Sequence, residues 1–198
     1  MRARKTRPAI AIVALLLIAT ALAGCGDAAS RTGPTLAQVM PNVRGADPRL
    51  ISITKQASQL LPGEATAFNA RLASLKGLPV VVNKWAAWCP DCSIEAPYFQ
   101  QAAKQLGGKV AFLGVDFFDN TTQAKKTLAK RPVPYPSYLD PDLKISKQLP
   151  PVKYGPVTNI YDASGKLVNQ HAGYFSSTSD LIDQIQRYAG PIPTAATG

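Results

Sequence analysis

One stretch constrains this chain more than any other. Trp88-Cys89-Pro90-Asp91-Cys92 lies between an apolar run, Pro79-Val80-Val81-Val82-Asn83-Lys84-Trp85, and a segment of helical character. The chain must therefore pass from a strand through a tight turn into a helix, with two thiols at the junction. A helix N-terminus presents unpaired N–H groups and the positive end of its dipole, and both favour a thiolate placed there. The thiolate is the form that attacks disulfides, so the pair can cycle between dithiol and disulfide.

The flanking pattern alternates. A strand is expected at 79–85, a helix at 90–106 ended by Gly107-Gly108, a strand at 109–115 and a helix at 121–130 stopped before Arg131-Pro132. Residues 132–141 are Pro-rich and extended, and a short helix fits 142–148. Two strands at 157–162 and 166–171, joined by Ala163-Ser164-Gly165, read as a hairpin, and a helix at 177–189 closes the domain. Helical periodicity also covers 49–60 and 64–76. This order predicts an α/β domain with a central mixed β-sheet, helices on both faces and an N-terminal helical extension.

The N-terminus predicts where the chain works. Arg2, Arg4, Lys5 and Arg7 precede an uncharged apolar core over residues 9–23. At about 1.5 Å per residue that core spans about 22 Å as a helix, short of the roughly 30 Å of a bilayer interior, which favours a signal peptide over a permanent span. Leu22-Ala23-Gly24-Cys25 resembles the lipobox of bacterial lipoproteins, which implies lipid on Cys25. Ordinary cleavage after Ala21 to Ala23 is the alternative. Lipidation would account for the odd one of three cysteines and leave Cys89 and Cys92 as a pair in an oxidising compartment. The expected organisation is a signal peptide at 1–24, a lipid-anchored flexible linker at 25–47, a folded domain at 48–190 and a disordered tail at 191–198.

Four of the 22 basic residues belong to the signal, so the formal charge of +10 falls to +6 in the mature chain. The remaining positive residues are spread thinly and do not alternate with aromatics, which argues against a nucleic-acid partner.

VVVNKWAAWCPDCSIEAP, with the later YPSYLDPD and YGPVTNIYDASGKLV, resembles the TlpA/ResA group of extracytoplasmic thioredoxins over roughly residues 77–189. The resemblance implies a thioredoxin fold and thiol–disulfide oxidoreductase activity at the outer face of a bacterial membrane, with no dissociable cofactor. It implies cysteine-containing protein substrates, apocytochrome c among the classes, and a membrane thiol carrier as electron partner. It also places a cis bond at Gly155-Pro156, packed against Cys89. Lys84 and Asn159 depart from the group, which usually has aromatic residues there.

Cys89, expected to be the more exposed, is the candidate nucleophile and Cys92 the resolving thiol. Trp88 is expected over the site, with Pro90 and Asp91 tuning its potential. Asn83 occupies the position where many thioredoxins bury an acid; being neutral, it cannot serve as a base. Glu95, three residues after Cys92, is the candidate substitute as proton shuttle, against the alternative of a solvated carboxylate. Pro97 should kink its helix. Zinc lacks enough ligands, and a purely structural disulfide across so short a loop would constrain the unfolded chain little. A copper-delivery or partner-binding module using the lone His171 is the alternative from another class, although copper carriers of this fold space their cysteines by three residues. Peroxiredoxins need a Thr shortly before the reactive Cys, and Trp85-Ala86-Ala87-Trp88 has none.

Overall fold

The structure, a computed structural model, describes residues 33–63, 65–150, 155–190 and 192. In chain order the elements are α1 (Leu36–Val39), α2 (Pro48–Lys55), β1 (Leu60–Leu61), α3 (Ala65–Ser74), β2 (Val80–Trp85), α4 (Pro90–Leu106), β3 (Ala111–Phe117), α5 (Thr121–Lys130), β4 (Ser137–Asp140), β5 (Val157–Tyr161), β6 (Leu167–Ala172) and α6 (Thr178–Ala189). The six strands form one sheet in the order β1-β4-β3-β2-β5-β6. β1, β4, β3 and β2 run parallel, while β5 and β6 are antiparallel. The expected mixed sheet is therefore present.

The central strands are apolar on both faces and buried on both, as a sheet covered by helices requires. Side chains cap the helices that surround the site. Asn120 accepts from Gln123 N at the start of α5, and Ser177 from Asp180 N at the start of α6. α4 and α6 pack against each other, and Phe99 on α4 meets Phe175, just before α6, edge to face at 6.0 Å. Gly114 on β3 permits one close approach. Across it the Trp85 indole reaches Ser137 Oγ at 3.0 Å, and a Cβ at 114 would sit 2.1 Å from that oxygen.

Several expectations are corrected. The helix expected to reach residue 60 stops at Lys55, because Ser58 takes φ 56° and its N–H and hydroxyl bond to Tyr135 and Val133. That bend delivers Leu60-Leu61 to the sheet as β1. Part of the Pro-rich stretch pairs as β4, and the short helix expected at 142–148 contracts to a 3₁₀ turn at Ser146–Gln148. The spacer assigned to 25–47 is folded from residue 33 onward: α1 forms there and Val39 is fully buried. Within the tail assigned to 191–198, Ile192 packs into the core. The signal peptide, Cys25 and the rest of the tail lie outside the described residues. No helix among the described residues is long and apolar enough to cross a membrane.

Candidate active site

The turn that follows β2 ends at Cys89, which is the N-cap of α4, with Pro90 at the first helical position. Pro fits there because its missing N–H would have had no helical partner. Cys89 and Cys92 form a disulfide with Cα atoms 5.3 Å apart. Cys89 Sγ accepts the Cys92 backbone N–H at 3.1 Å, so the sulfur sits where the helix offers its free donors. The expected difference in exposure is absent: Cys89 is 3% and Cys92 6% exposed. In the oxidised pair both sulfurs lie against the first turn of the helix. What distinguishes Cys89 is its place at the N-cap. Asp91 lies in the same first turn.

Glu95 is not a solvated carboxylate. It is 1% exposed, and its Oε1 accepts from Asn83 Nδ2 at 2.7 Å. Two residues twelve positions apart, each singled out in the sequence, thus meet in a cleft that Cys92 also lines. Burial pushes Glu95 up to about 8; the Asn83 amide and the Phe175 backbone N–H pull the other way, and Asp91 adds a smaller upward push. Among the described residues Oε2 has no hydrogen-bond partner. A cleft lined by Asn83, Cys92, Glu95, Phe99, Arg131 and Tyr135 opens beside this pair. Arg131 donates to Ser93 Oγ at its rim, at 2.7 Å.

Trp88 is half exposed. Its indole N–H donates to the Phe118 carbonyl at 2.9 Å, and its ring meets Phe117 edge to face at 5.3 Å. Lys84 places its amine 4.4 Å from the centroid of the Phe117 ring, and burial lowers its pKa. Asn159 is accommodated by an amide pair, its Oδ1 accepting from Gln170 at 2.9 Å. His171 stacks on Phe175 at 4.2 Å. Among the described residues no three His, Cys, Asp or Glu side chains converge as metal ligands.

The cis bond expected at Gly155-Pro156 is not found; the bond is trans. Gly155 takes φ 85°, a conformation that glycine adopts without penalty, two residues before β5 begins. Pro156 is buried, and its carbonyl accepts from Gly173 N at 3.0 Å.

Sequence reasoning passed over Asp116 and Asp119. Asp116 is fully buried on β3, and Asp119 accepts the Ala87 N–H at 2.6 Å. For Asp116 the available signal was an acid inside the otherwise apolar run Val110 to Phe117.

Comparison with known proteins agrees with this geometry. The sequence profile of the AhpC/TSA family matches residues 57–170. The chain is 37% identical to the thiol:disulfide interchange protein DsbE of Pasteurella multocida over 99 residues, half of this chain and 52% of that protein. It is 31% identical to DsbE of Vibrio cholerae over 153 residues, 71% of this chain and 77% of that protein. The chain spans about half the length of the first relatives it matches. Among solved structures, a secreted Mycobacterium tuberculosis disulfide oxidoreductase homologous to E. coli DsbE superposes with a TM-score of 0.53 at 26% identity, covering 58% of this chain and 85% of that one. A thioredoxin family protein from Chlorobium tepidum gives 0.53 at 26% identity, over 60% and 84%. The fold is that of thioredoxin.

Proposed function

The chain belongs to the AhpC/TSA family, with thiol:disulfide interchange proteins among its relatives, and from that premise we propose that it is a thiol–disulfide oxidoreductase of the TlpA/ResA type. The observation that carries the reading is the Cys89–Cys92 disulfide at the start of α4, with a buried carboxyl, Glu95, lining one cleft with Cys92. The family name also covers thiol peroxidases, but the residues before Cys89 lack the threonine expected of one.

In the reducing direction, the Cys89 thiolate attacks a substrate disulfide. The first substrate sulfur leaves as a thiolate and is protonated. Glu95 then takes the Cys92 proton, and Cys92 Sγ attacks Cys89 Sγ. The second substrate thiol departs and the intramolecular disulfide closes, so two electrons have passed from the pair to the substrate. A carboxyl raised to about 8 suits this role, because its basicity approaches that of an ordinary thiol, about 8.5, so the proton transfer from Cys92 is nearly balanced, and it slows as Glu95 becomes protonated at lower pH. Asn83 holds it in place. No dissociable cofactor enters these steps.

The lipobox-like stretch ending at Cys25 supports an extracytoplasmic, membrane-tethered protein. A membrane thiol carrier would then exchange electrons with the pair, and cysteine-containing proteins such as apocytochrome c are the substrate class suggested by the resemblance. Mass spectrometry of the mature N-terminus tests the anchor: lipid on Cys25 supports it, and an unmodified terminus elsewhere removes it.

The exchange role is tested by trapping. Cys92→Ser should accumulate mixed disulfides through Cys89 on non-reducing gels, and Cys89→Ser few or none. Equal trapping by the two variants would overturn the assignment.

A further inference from the structure

We propose that Asp119 is a positioning residue for the redox turn, holding the segment that delivers Cys89, and that the buried Asp116 behind it makes this hold sensitive to pH. The inference rests on the redox role above and extends it to two residues outside the cysteine motif.

The geometry begins in the sheet. β2 and β3 are parallel neighbours, with Trp85 opposite Asp116 at their ends. The chain leaving β2 forms the turn 86–89, closed by Cys89 N on Ala86 O at 3.2 Å. The chain leaving β3 forms the bend 117–120 beside it. Two hydrogen bonds join these segments: Ala87 N–H donates to Asp119 Oδ2 at 2.6 Å, and the Trp88 indole donates to the Phe118 carbonyl at 2.9 Å. The other Asp119 oxygen accepts from Asn120 N at 2.7 Å. Phe118 adopts φ 50°, a costly conformation for a residue other than glycine, while its own side chain is largely exposed. The strain is thus not offset by packing of the Phe118 side chain. The bend instead brings a backbone carbonyl and a carboxylate to the two residues immediately before Cys89.

Asp116 supplies the second part. Its side chain is fully buried, and neither oxygen has a hydrogen-bond partner among the described residues. Among the described residues, the charged groups that act on it are Asp119 in the bend and Asp140 on β4. Asp140 accepts from Ile145 N and Ser146 N at 2.9 and 2.8 Å. Lys84 on β2 faces Asp140 and lies over the Phe117 ring. Asp119 and Asp140 both accept backbone N–H groups, whereas the buried Asp116 carboxyl accepts from none among the described residues, which favours its neutral form. Burial and these neighbouring carboxylates push Asp116 up to about 8. Above that pH a second negative charge appears behind Asp119, repels it, and weakens its grip on Ala87.

The test measures thiol exchange of the whole protein from about pH 6 to about pH 10, alongside tryptophan emission. Asp119→Ala should lower kcat about tenfold with KM little changed, because the loss is one charge-assisted hydrogen bond distant from the substrate. It should also shift the emission of Trp88 to longer wavelength; Trp85 is buried and contributes little to such a shift. Asp119→Asn keeps an oxygen acceptor and should restore most of the rate. In the unmutated protein the rate should fall along an alkaline limb near pH 8, and Asp116→Asn should abolish that limb. Glu95, as a base, shapes the opposite, acidic limb, so the two carboxyls are separable. Asp119→Ala with the unmutated rate and emission, or an alkaline limb that survives Asp116→Asn, would overturn the proposal. If no form exchanges thiols, the redox role fails instead. The emission of Asp119→Ala then still decides whether Asp119 holds the turn.

Discussion

Replacing Glu95 by Gln isolates the energetic consequence of burying a carboxyl in the cleft beside Cys92. Glu95 moves from its usual 4.5 to about 8 in the folded protein. At about 1.4 kcal/mol per pH unit, that displacement corresponds to about 5 kcal/mol. The unfolded chain releases this proton near 4.5, whereas the folded chain keeps it until about 8. The stability contributed by the protonated form is therefore complete below 4.5 and is lost as pH rises through 8. Asp116 acts in the same sense, from 3.8 to about 8. Asp47, Asp162 and Asp180 are shifted down from 3.8, so their contributions change only at lower pH. Between about pH 5 and about pH 7.5 the folded chain thus holds about two protons more than the unfolded one, and stability should fall by up to about 2.7 kcal/mol per pH unit. Gln cannot titrate, and its amide oxygen still accepts from Asn83, so Glu95→Gln should halve that slope to about 1.4 kcal/mol per unit. Urea unfolding of the oxidised protein at a series of pH values measures it. A slope unchanged by the substitution would show that Glu95 is ionised in the folded state, and the proton-shuttle argument would lose its basis.

Two further substitutions test the frame around the site. Gly114→Ala places a Cβ 2.1 Å from Ser137 Oγ and 3.0 Å from the Trp85 indole nitrogen; it should destabilise the protein by about 1–3 kcal/mol, read as a lower urea midpoint at constant m-value. Phe175→Ala removes a fully buried ring that contacts Phe99 and His171; a loss of about 3–5 kcal/mol is expected in the same assay, and a loss below about 1 kcal/mol would contradict the packing described.

The legible parts of the fold were those with strong local signals. The valine run of β2, the Pro and Cys at the start of α4, and the Asp162 to Gly165 turn between β5 and β6 each announce themselves through propensity or backbone chemistry. β1 was invisible for the opposite reason. Two leucines make a strand only because Ser58 turns the chain and Ser137-Tyr138 offer a parallel edge, and neither condition is local. The short helix α1 lay hidden in a stretch of small and polar residues, where a single buried valine supplies the anchor. At the site, the cysteines and Glu95 could be read from spacing along one helix. The contact of Glu95 with Asn83 joins α4 to β2, and its 2.7 Å length could not be read from spacing. Asp119 was missed because its role is to bind a backbone N–H on the neighbouring turn, and a side chain with that role leaves no periodic trace. The trans bond at Gly155-Pro156 shows a different limit: the motif marks a bend, but φ at the glycine can make it as well as ω at the proline.

The central claim, that Cys89 and Cys92 form a working redox pair, is tested most directly by its reduction potential. The protein is equilibrated in glutathione and dithiothreitol buffers, and the thiol content is counted at each poise. The account predicts one reversible two-electron transition, at a midpoint between roughly −120 and roughly −270 mV. A disulfide that stays closed below about −300 mV would be a structural cross-link and would contradict it.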